Sequence, residues 1–218
     1  MGQYKDRSQA GKVLADLVIR EIGADPSSLV LALPRGGVPV AVEVAKALNA
    51  ELDVIVVRKL GMPFDPEFAF GAISVNGAKY INEQLVAGAD LARDTVNEII
   101  GQETAELHRR ERVYRGECPP LNASDRTVIV VDDGIATGAT MKAAIAAIRS
   151  MKPTKIVLAV PVAPAIATIE FKDLVDKFVC PFFPESLEGV GQWYDDFSQV
   201  EDEEVVDLLR WEPTTDSS

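Results

Sequence analysis

Short apolar runs alternate with longer amphipathic stretches in the first quarter of the chain. Apolar positions recur at helical spacing over residues 8–22 and predict an amphipathic helix. The run at 29–34 has the length of a buried strand, residues 38–48 have helical composition, and 52–60 predicts a second buried strand. A strand, a glycine turn, a helix and a strand in this order predict a βαβ unit with neighbouring parallel strands.

The pattern loosens in the middle of the chain and then returns. Residues 61–75 predict a loop and a short strand, 76–82 a hairpin turn and strand, and 90–115 one long charged helix or two shorter ones. The later elements are strands at 128–133, 155–164 and 177–179 and helices at 140–151, 164–171 and 202–211.

This order predicts a single α/β domain over residues 1–218. Its expected core is a mostly parallel sheet flanked by helices. The segment 61–117 is expected to form an inserted helical and hairpin segment, and 180–211 a small C-terminal elaboration.

Composition narrows the classes of function. The chain has 218 residues, 47% of them hydrophobic and 26% charged, as in ordinary globular proteins. The net charge of −12 argues against a general nucleic-acid binder, because phosphate backbones are held by basic surfaces. No apolar run approaches the roughly 20 residues that span a bilayer, and the N-terminal residues lack a leader pattern, so a cytoplasmic protein without membrane partners is expected. Two cysteines and one histidine form no disulfide framework or zinc motif.

Polar groups follow three of the predicted strands. These are Arg35-Gly36-Gly37, Arg58-Lys59 and Asp132-Asp133. Because the carboxyl ends of parallel strands meet at one edge of a sheet, where ligands bind, we expect the three turns to lie close together.

The segment after Asp133 has the chemistry of a phosphate-binding loop. Four of its residues carry little or no side chain, so the backbone can approach an anion closely: Gly134, Ala136, Gly138 and Ala139. Thr137 and Thr140 add hydroxyl donors, and the helix that starts near Thr140 offers unsatisfied N–H groups. Neither the G-x-x-x-x-G-K-S/T motif nor the G-x-G-x-x-G motif is present.

Two aspartates beside a phosphate loop need partners other than the phosphate. The vicinal hydroxyls of a ribose suit Asp132 and Asp133, since carboxylates accept and a diol donates. A divalent metal is the other candidate. Two aspartates at the end of a strand could also form a solvated turn or the acidic pocket of a response-regulator receiver domain. A receiver domain needs a phosphoacceptor aspartate at the end of a later strand, and the predicted strand at 155–164 does not end in one.

The sequence VIVVDDGIATGAT resembles the phosphoribosyl-diphosphate signature of the type I phosphoribosyltransferases. In that resemblance, Asp132 and Asp133 match the ribose-binding acids, and residues 136–140 match the 5′-phosphate loop. The turn Arg35-Gly36-Gly37 resembles the family's pyrophosphate loop, and Arg58-Lys59 a basic pair of the orotate branch. The chain is also similar to uncharacterised members that carry R-G-G, R-K-L-G and W-Y-x-D-F segments.

The resemblance implies transfer from 5-phosphoribosyl 1-diphosphate to a small nitrogenous, nucleobase-like acceptor. Arg35, Lys59 and Mg²⁺ would stabilise the pyrophosphate leaving group, with Mg²⁺ held through the substrate and by Asp132 or Asp133. The segment 61–117 would supply a flexible lid, and residues 180–211 a hood whose Trp193 and Tyr194 could stack on the acceptor. The loop reads Ala136-Thr137-Gly138, which resembles the adenine type of the family, whereas the hypoxanthine-guanine type has an acid at the first of these positions.

A rival function is a non-catalytic sensor that binds phosphoribosyl diphosphate or a nucleotide. Arg35 and the Arg58-Lys59 pair favour catalysis, because basic groups for pyrophosphate are useless to a protein that binds only a nucleoside monophosphate. The sequence identifies no acceptor. By analogy with the family, a homodimer is expected.

Overall fold

The computed structural model describes residues 2–74, 77 and 79–214. The predicted hairpin turn at 76–82 therefore lies partly outside the described residues. The seven α-helices of the described chain are α1 Arg7–Ile22, α2 Gly37–Leu48, α3 Glu83–Gly88, α4 Arg93–Arg115, α5 Ala139–Ser150, α6 Ala167–Glu170 and α7 Asp202–Leu208. The strands are β1 Leu29–Ala32, β2 Glu51–Val54, β3 Val57–Met62, β4 Asp65–Ser74, β5 Lys79–Ile81, β6 Thr127–Val131, β7 Lys155–Ala159 and β8 Lys177–Val179.

The central sheet is parallel and has the strand order β2-β1-β6-β7-β8. All four residues of β1 are buried, as expected for a strand covered on both faces. Alternate residues of the central strands enter two hydrophobic cores. One core lies against α1 and α2, and the other against α5 and α6. The predicted α/β fold with a mostly parallel sheet is confirmed.

The prediction of one strand over 52–60 is wrong. The parallel strand β2 ends at Val54, and β3 begins at Val57 in a separate antiparallel sheet with the order β3-β4-β5. The run LDVIVV is almost continuously apolar, so its periodicity gives no sign of the break. Consequently Arg58 and Lys59 lie inside β3 and do not end a parallel strand.

In the segment 61–75, the predicted strand is present and the predicted loop before it is mostly wrong, because β3 continues to Met62 and β4 begins at Asp65 and covers ten residues. β5 pairs only with residues 71–73 of β4, so the start of β4 is not a central strand. In the predicted helical region 90–115, α4 is one continuous helix of 23 residues.

The C-terminal segment is tied to the N-terminus. Tyr4 donates its backbone N–H to the Trp193 carbonyl at 2.9 Å, and Asp195 donates its N–H to the Tyr4 carbonyl at 2.8 Å. The Tyr4 hydroxyl donates to the Pro161 carbonyl at 2.8 Å. The residues before α1 therefore pack against the 180–211 segment. The sequence analysis did not predict this contact. No helix in the described part of the chain is long and apolar enough to cross a membrane.

Candidate active site

The loop between β6 and α5 borders a cavity of about 190 Å³. Its lining includes the loop from Gly134 to Thr140, together with Lys59, Asp132 and Val190. Gly138, the residue that caps α5, has φ 72° and makes no side-chain cap, so the first N–H groups of the helix lack a capping side chain. The structure thus brings together the predicted small-residue loop, one of its two acids and one predicted cation.

The two adjacent aspartates have different surroundings. Asp132 lines the small cavity, and its Oδ1 accepts the backbone N–H of Asp133 at 2.8 Å. The Asp133 carboxylate is not among the groups that line this cavity. Its Oδ2 accepts a hydrogen bond from Arg7 Nε at 2.9 Å, and its backbone carbonyl accepts one from the Tyr194 hydroxyl at 2.6 Å.

Burial governs the electrostatics of the acid pair. Removal from water raises the pKa of Asp132 well above its ordinary value, and the nearby charge of Asp133 raises it further. Burial also raises the pKa of Asp133, whereas the charge of Arg7 acts in the opposite direction. Two adjacent carboxylates with little access to water favour a cationic or hydrogen-bond-donating ligand beside Asp132.

The turn after β1 packs directly against the acid pair. A Cβ built on Gly36 would overlap the Asp133 carboxylate, and one built on Gly37 would lie 2.8 Å from the Val131 carbonyl oxygen. The peptide bond between Pro34 and Arg35 is cis. The Arg35 guanidinium lies 3.5 Å from a carboxylate oxygen of Glu201 and 3.7 Å from one of Asp202.

Arg58 and Lys59 reach the site from the antiparallel sheet. Both line a larger cavity of about 620 Å³ between the β3–β4 hairpin and α4, and this cavity also touches Pro34 and Thr140. Lys59 lines the small cavity as well. Arg58 donates to Glu103 of α4 at 2.6 Å, so the pair couples the hairpin to the helix. The two basic residues are thus close to the loop, but only Lys59 borders both cavities.

The predicted hood aromatics take part in packing. The Trp193 ring lies 5.0 Å from the Phe182 ring between centroids. Tyr194 is buried, and its ring lies 5.6 Å from that of Tyr4 and 5.0 Å from that of Phe197. Tyr194 therefore meets the site through its hydroxyl on Asp133, and its ring face is covered by other aromatic rings.

Sequence reasoning missed Arg7 and Tyr4. Arg7 lies directly after Asp6, which caps α1 by accepting the Gln9 N–H at 2.8 Å. That local pattern predicts a helix start and nothing about a partner at position 133. In the described residues, no group of three or more His, Cys, Asp or Glu side chains could hold a metal ion.

Comparison with known proteins agrees with this geometry. Residues 90–186 match the family model described as the phosphoribosyl transferase domain. Over 209 residues, 96% of this chain, the sequence is 44% identical to proteins named "Putative phosphoribosyl transferase" in two strains of Mycobacterium tuberculosis. Residues 90–186 therefore match a phosphoribosyl transferase domain, and the similarity to the named relatives extends over nearly the whole chain. The chain spans about half the length of these curated relatives, covering 47% of each.

Solved structures share this fold over nearly the whole chain. The protein TT1426 from Thermus thermophilus is 38% identical, with a TM-score of 0.80, over 94% of this chain and 97% of that one. The AQ2163 protein of Aquifex aeolicus is 11% identical, with a TM-score of 0.53, over 94% of this chain and 85% of that one. The second similarity concerns the fold alone. The predicted resemblance to the phosphoribosyltransferases is confirmed, and the family-model match includes the acid pair and the small-residue loop.

Proposed function

We propose that this chain transfers the phosphoribosyl group of 5-phosphoribosyl 1-diphosphate to a nitrogenous, nucleobase-like acceptor and releases pyrophosphate. The observation that carries the proposal is the shared cavity of the 134–140 loop, Asp132 and Lys59. An anion-binding loop, an acceptor for hydroxyl groups and a cation within one small cavity match the three parts of this donor: 5′-phosphate, ribose and diphosphate.

The donor would bind with its 5′-phosphate on the N–H groups of residues 136–140 and the Thr137 and Thr140 hydroxyls. Asp132 would accept hydrogen bonds from the ribose hydroxyls, because its carboxylate borders the cavity. Asp133, proposed for the same role from the sequence, is bound to Arg7 in this structure. Asp133 would therefore contribute to ribose binding indirectly, by positioning Asp132 and through its negative charge.

The leaving pyrophosphate would be stabilised by Lys59 and Arg35. Lys59 borders the donor cavity from β3. Arg35 follows β1 and keeps a partly exposed side chain, with 30% of its surface accessible, beside two acids of the hood. Rotation of Arg35 from these acids toward the diphosphate would add a second cation.

A Mg²⁺ ion fits this site in the way expected for a metal carried by its substrate. Asp132 is the carboxylate beside the donor cavity, and the negative charge of the adjacent Asp133 favours a cation next to it. The ion would take most of its oxygen ligands from the diphosphate, ribose and water, and would neutralise charge on the leaving group.

The inserted segment 61–117 is the proposed cover of the site. The hairpin and α4 form the walls of the larger cavity, next to Lys59 and Thr140. A cover is needed because the sugar cation that develops during transfer reacts readily with water.

The proposal is tested by measuring pyrophosphate release from labelled donor with Mg²⁺ and a panel of purine and pyrimidine bases. Release that depends on one base or a few, and is lost in D132N, supports a transferase. The rival function is a sensor. A sensor would bind the donor with micromolar or tighter affinity yet liberate no pyrophosphate with any base.

A further inference from the structure

The Asp133 carboxylate is held by a cation from the start of the chain. Arg7 donates from Nε to Asp133 Oδ2 at 2.9 Å and from Nη1 to the Ser198 carbonyl at 2.8 Å. Its guanidinium carbon lies 3.8 Å from the centroid of the Phe197 ring. Only 11% of the Arg7 side chain and 14% of the Asp133 side chain are exposed, so solvent screens this ion pair weakly.

Three structural elements meet at Asp133. Arg7 comes from α1, Gly36 packs against the carboxylate from the turn after β1, and the Tyr194 hydroxyl binds the backbone carbonyl from the hood. The titratable groups that face Asp133 are therefore Asp132 on the same turn, Arg7, and Tyr194, whose pKa is raised by burial and by the charge of Asp133.

The ion pair has a consequence for the donor. Two ionised carboxylates facing one small cavity would repel the diphosphate and each other. With Asp133 bound to Arg7, one carboxylate meets the donor and the other is neutralised outside the cavity lining. An arginine suits this position better than a lysine, because its planar fork serves Asp133 and Ser198 at once while its face covers an aromatic ring.

We infer that Arg7 is a positioning residue of the donor site: it holds Asp133 away from the cavity, so that Asp132 is the acid that meets the ribose. This inference rests on the proposed function.

The test measures the affinity for 5-phosphoribosyl 1-diphosphate with Mg²⁺ by titration calorimetry at neutral pH. We expect R7Q to bind the donor about tenfold more weakly, because Asp133 is no longer held away from the cavity. R7K keeps the charge and should restore most of the wild-type affinity. The control R20Q alters an exposed arginine of the same helix, which bonds the Asp16 carbonyl, and should leave the affinity unchanged.

A double variant shows whether Arg7 acts through Asp133. In the D133N background, R7Q should weaken binding much less than it does in the wild type, because the partner of the ion pair is already gone. If D133N does not fold, F197L removes the ring under the guanidinium and should weaken donor binding, by less than R7Q does.

An unchanged affinity in R7Q, or an equal effect of R7Q in both backgrounds, overturns the role of Arg7. Failure of the wild-type protein to bind the donor at all would remove the proposed function and this inference with it. Binding by the wild type with an unaltered R7Q removes the inference alone.

Discussion

A Cβ added to Gly36 would overlap the Oδ2 atom of Asp133. Gly36 has φ −58° and ψ −31°, a conformation that any residue adopts. Glycine is therefore needed here because a side chain would not fit, and not because of the backbone conformation. The turn after β1 and the turn after β6 are therefore in direct contact. The geometry of the acid pair depends on a residue almost one hundred positions away in the chain.

The substitution G36A tests this contact. The added methyl group must displace the Asp133 carboxylate or the turn, so we expect a loss of about 1–3 kcal/mol in the free energy of unfolding and weaker donor binding. The matched control is G101A in α4, where a Cβ would meet nothing within 4 Å. Because alanine favours a helix interior, G101A should be stabilised by about 0.5–1 kcal/mol. Wild-type donor affinity and stability in G36A would show that the two turns can separate without consequence.

Gly138 combines an unusual backbone conformation with a close neighbour. Its φ is 72°, and an added Cβ would lie 3.0 Å from the Phe171 ring. Gly116 also has a positive φ, 55°, but open space around it. Both G138A and G116A should lose about 1 kcal/mol of stability from the left-handed backbone. Only G138A should also lose affinity for ribose 5-phosphate, because it shifts the N–H groups of the loop. Equal affinities in the two variants would argue against phosphate binding at this loop.

The parallel core could be predicted because its strands are marked at both ends. The runs at 29–34 and 128–133 are continuously apolar and stop at a proline and at two aspartates, which the chain cannot bury in a sheet. No proline, glycine or charged residue follows Val54 directly, so the strand predicted over 52–60 joined two strands that belong to different sheets. Local sequence shows where apolar character begins and ends, and a change of sheet inside an apolar run leaves no local sign.

The candidate site could be predicted only where its residues are local in sequence. Residues 132–140 form one continuous turn and loop, and the structure keeps them together. Arg7 and Asp133 are 126 positions apart, and their contact depends on pairing between the segments around Tyr4 and Tyr194. No periodicity or motif connects those segments, so the ion pair follows from tertiary packing.

Lys59 and Arg58 are adjacent in the sequence and should differ in function. Lys59 borders the donor cavity, whereas Arg58 is bound to Glu103. We expect K59Q to weaken pyrophosphate and donor binding about tenfold, with a reduced salt dependence, since a cation near the diphosphate is lost. R58Q should lower the melting temperature while changing affinity by less than about threefold. Calorimetric titration with pyrophosphate and Mg²⁺ at two salt concentrations measures both effects. A larger affinity loss in R58Q than in K59Q would reverse the assignment.

Asp132 should make the stability of the free protein depend on pH. Its pKa is raised in the folded state by burial and by Asp133, so the folded protein binds this proton more tightly than the unfolded chain. The resulting stabilisation is complete below the ordinary pKa of an aspartate and is lost as the pH rises through the raised value. D132N removes this titration, so its free energy of unfolding should exceed that of the wild type at neutral pH and fall less as the pH rises.

Donor binding should show the opposite trend, because it needs the ionised carboxylate. Affinity for 5-phosphoribosyl 1-diphosphate with Mg²⁺ should increase with pH in the wild type, and D132N should bind about 10–100-fold more weakly with a flatter pH profile. Denaturant unfolding and calorimetry at matched pH values measure the two trends, with the exposed D173N as the control variant. If D132N kept the pH dependence of the wild type in both measurements, Asp132 would not be the acid that titrates in this site. If D132N is more stable than the wild type and binds the donor more weakly, the buried carboxylate of Asp132 lowers the stability of the protein and is needed for donor binding.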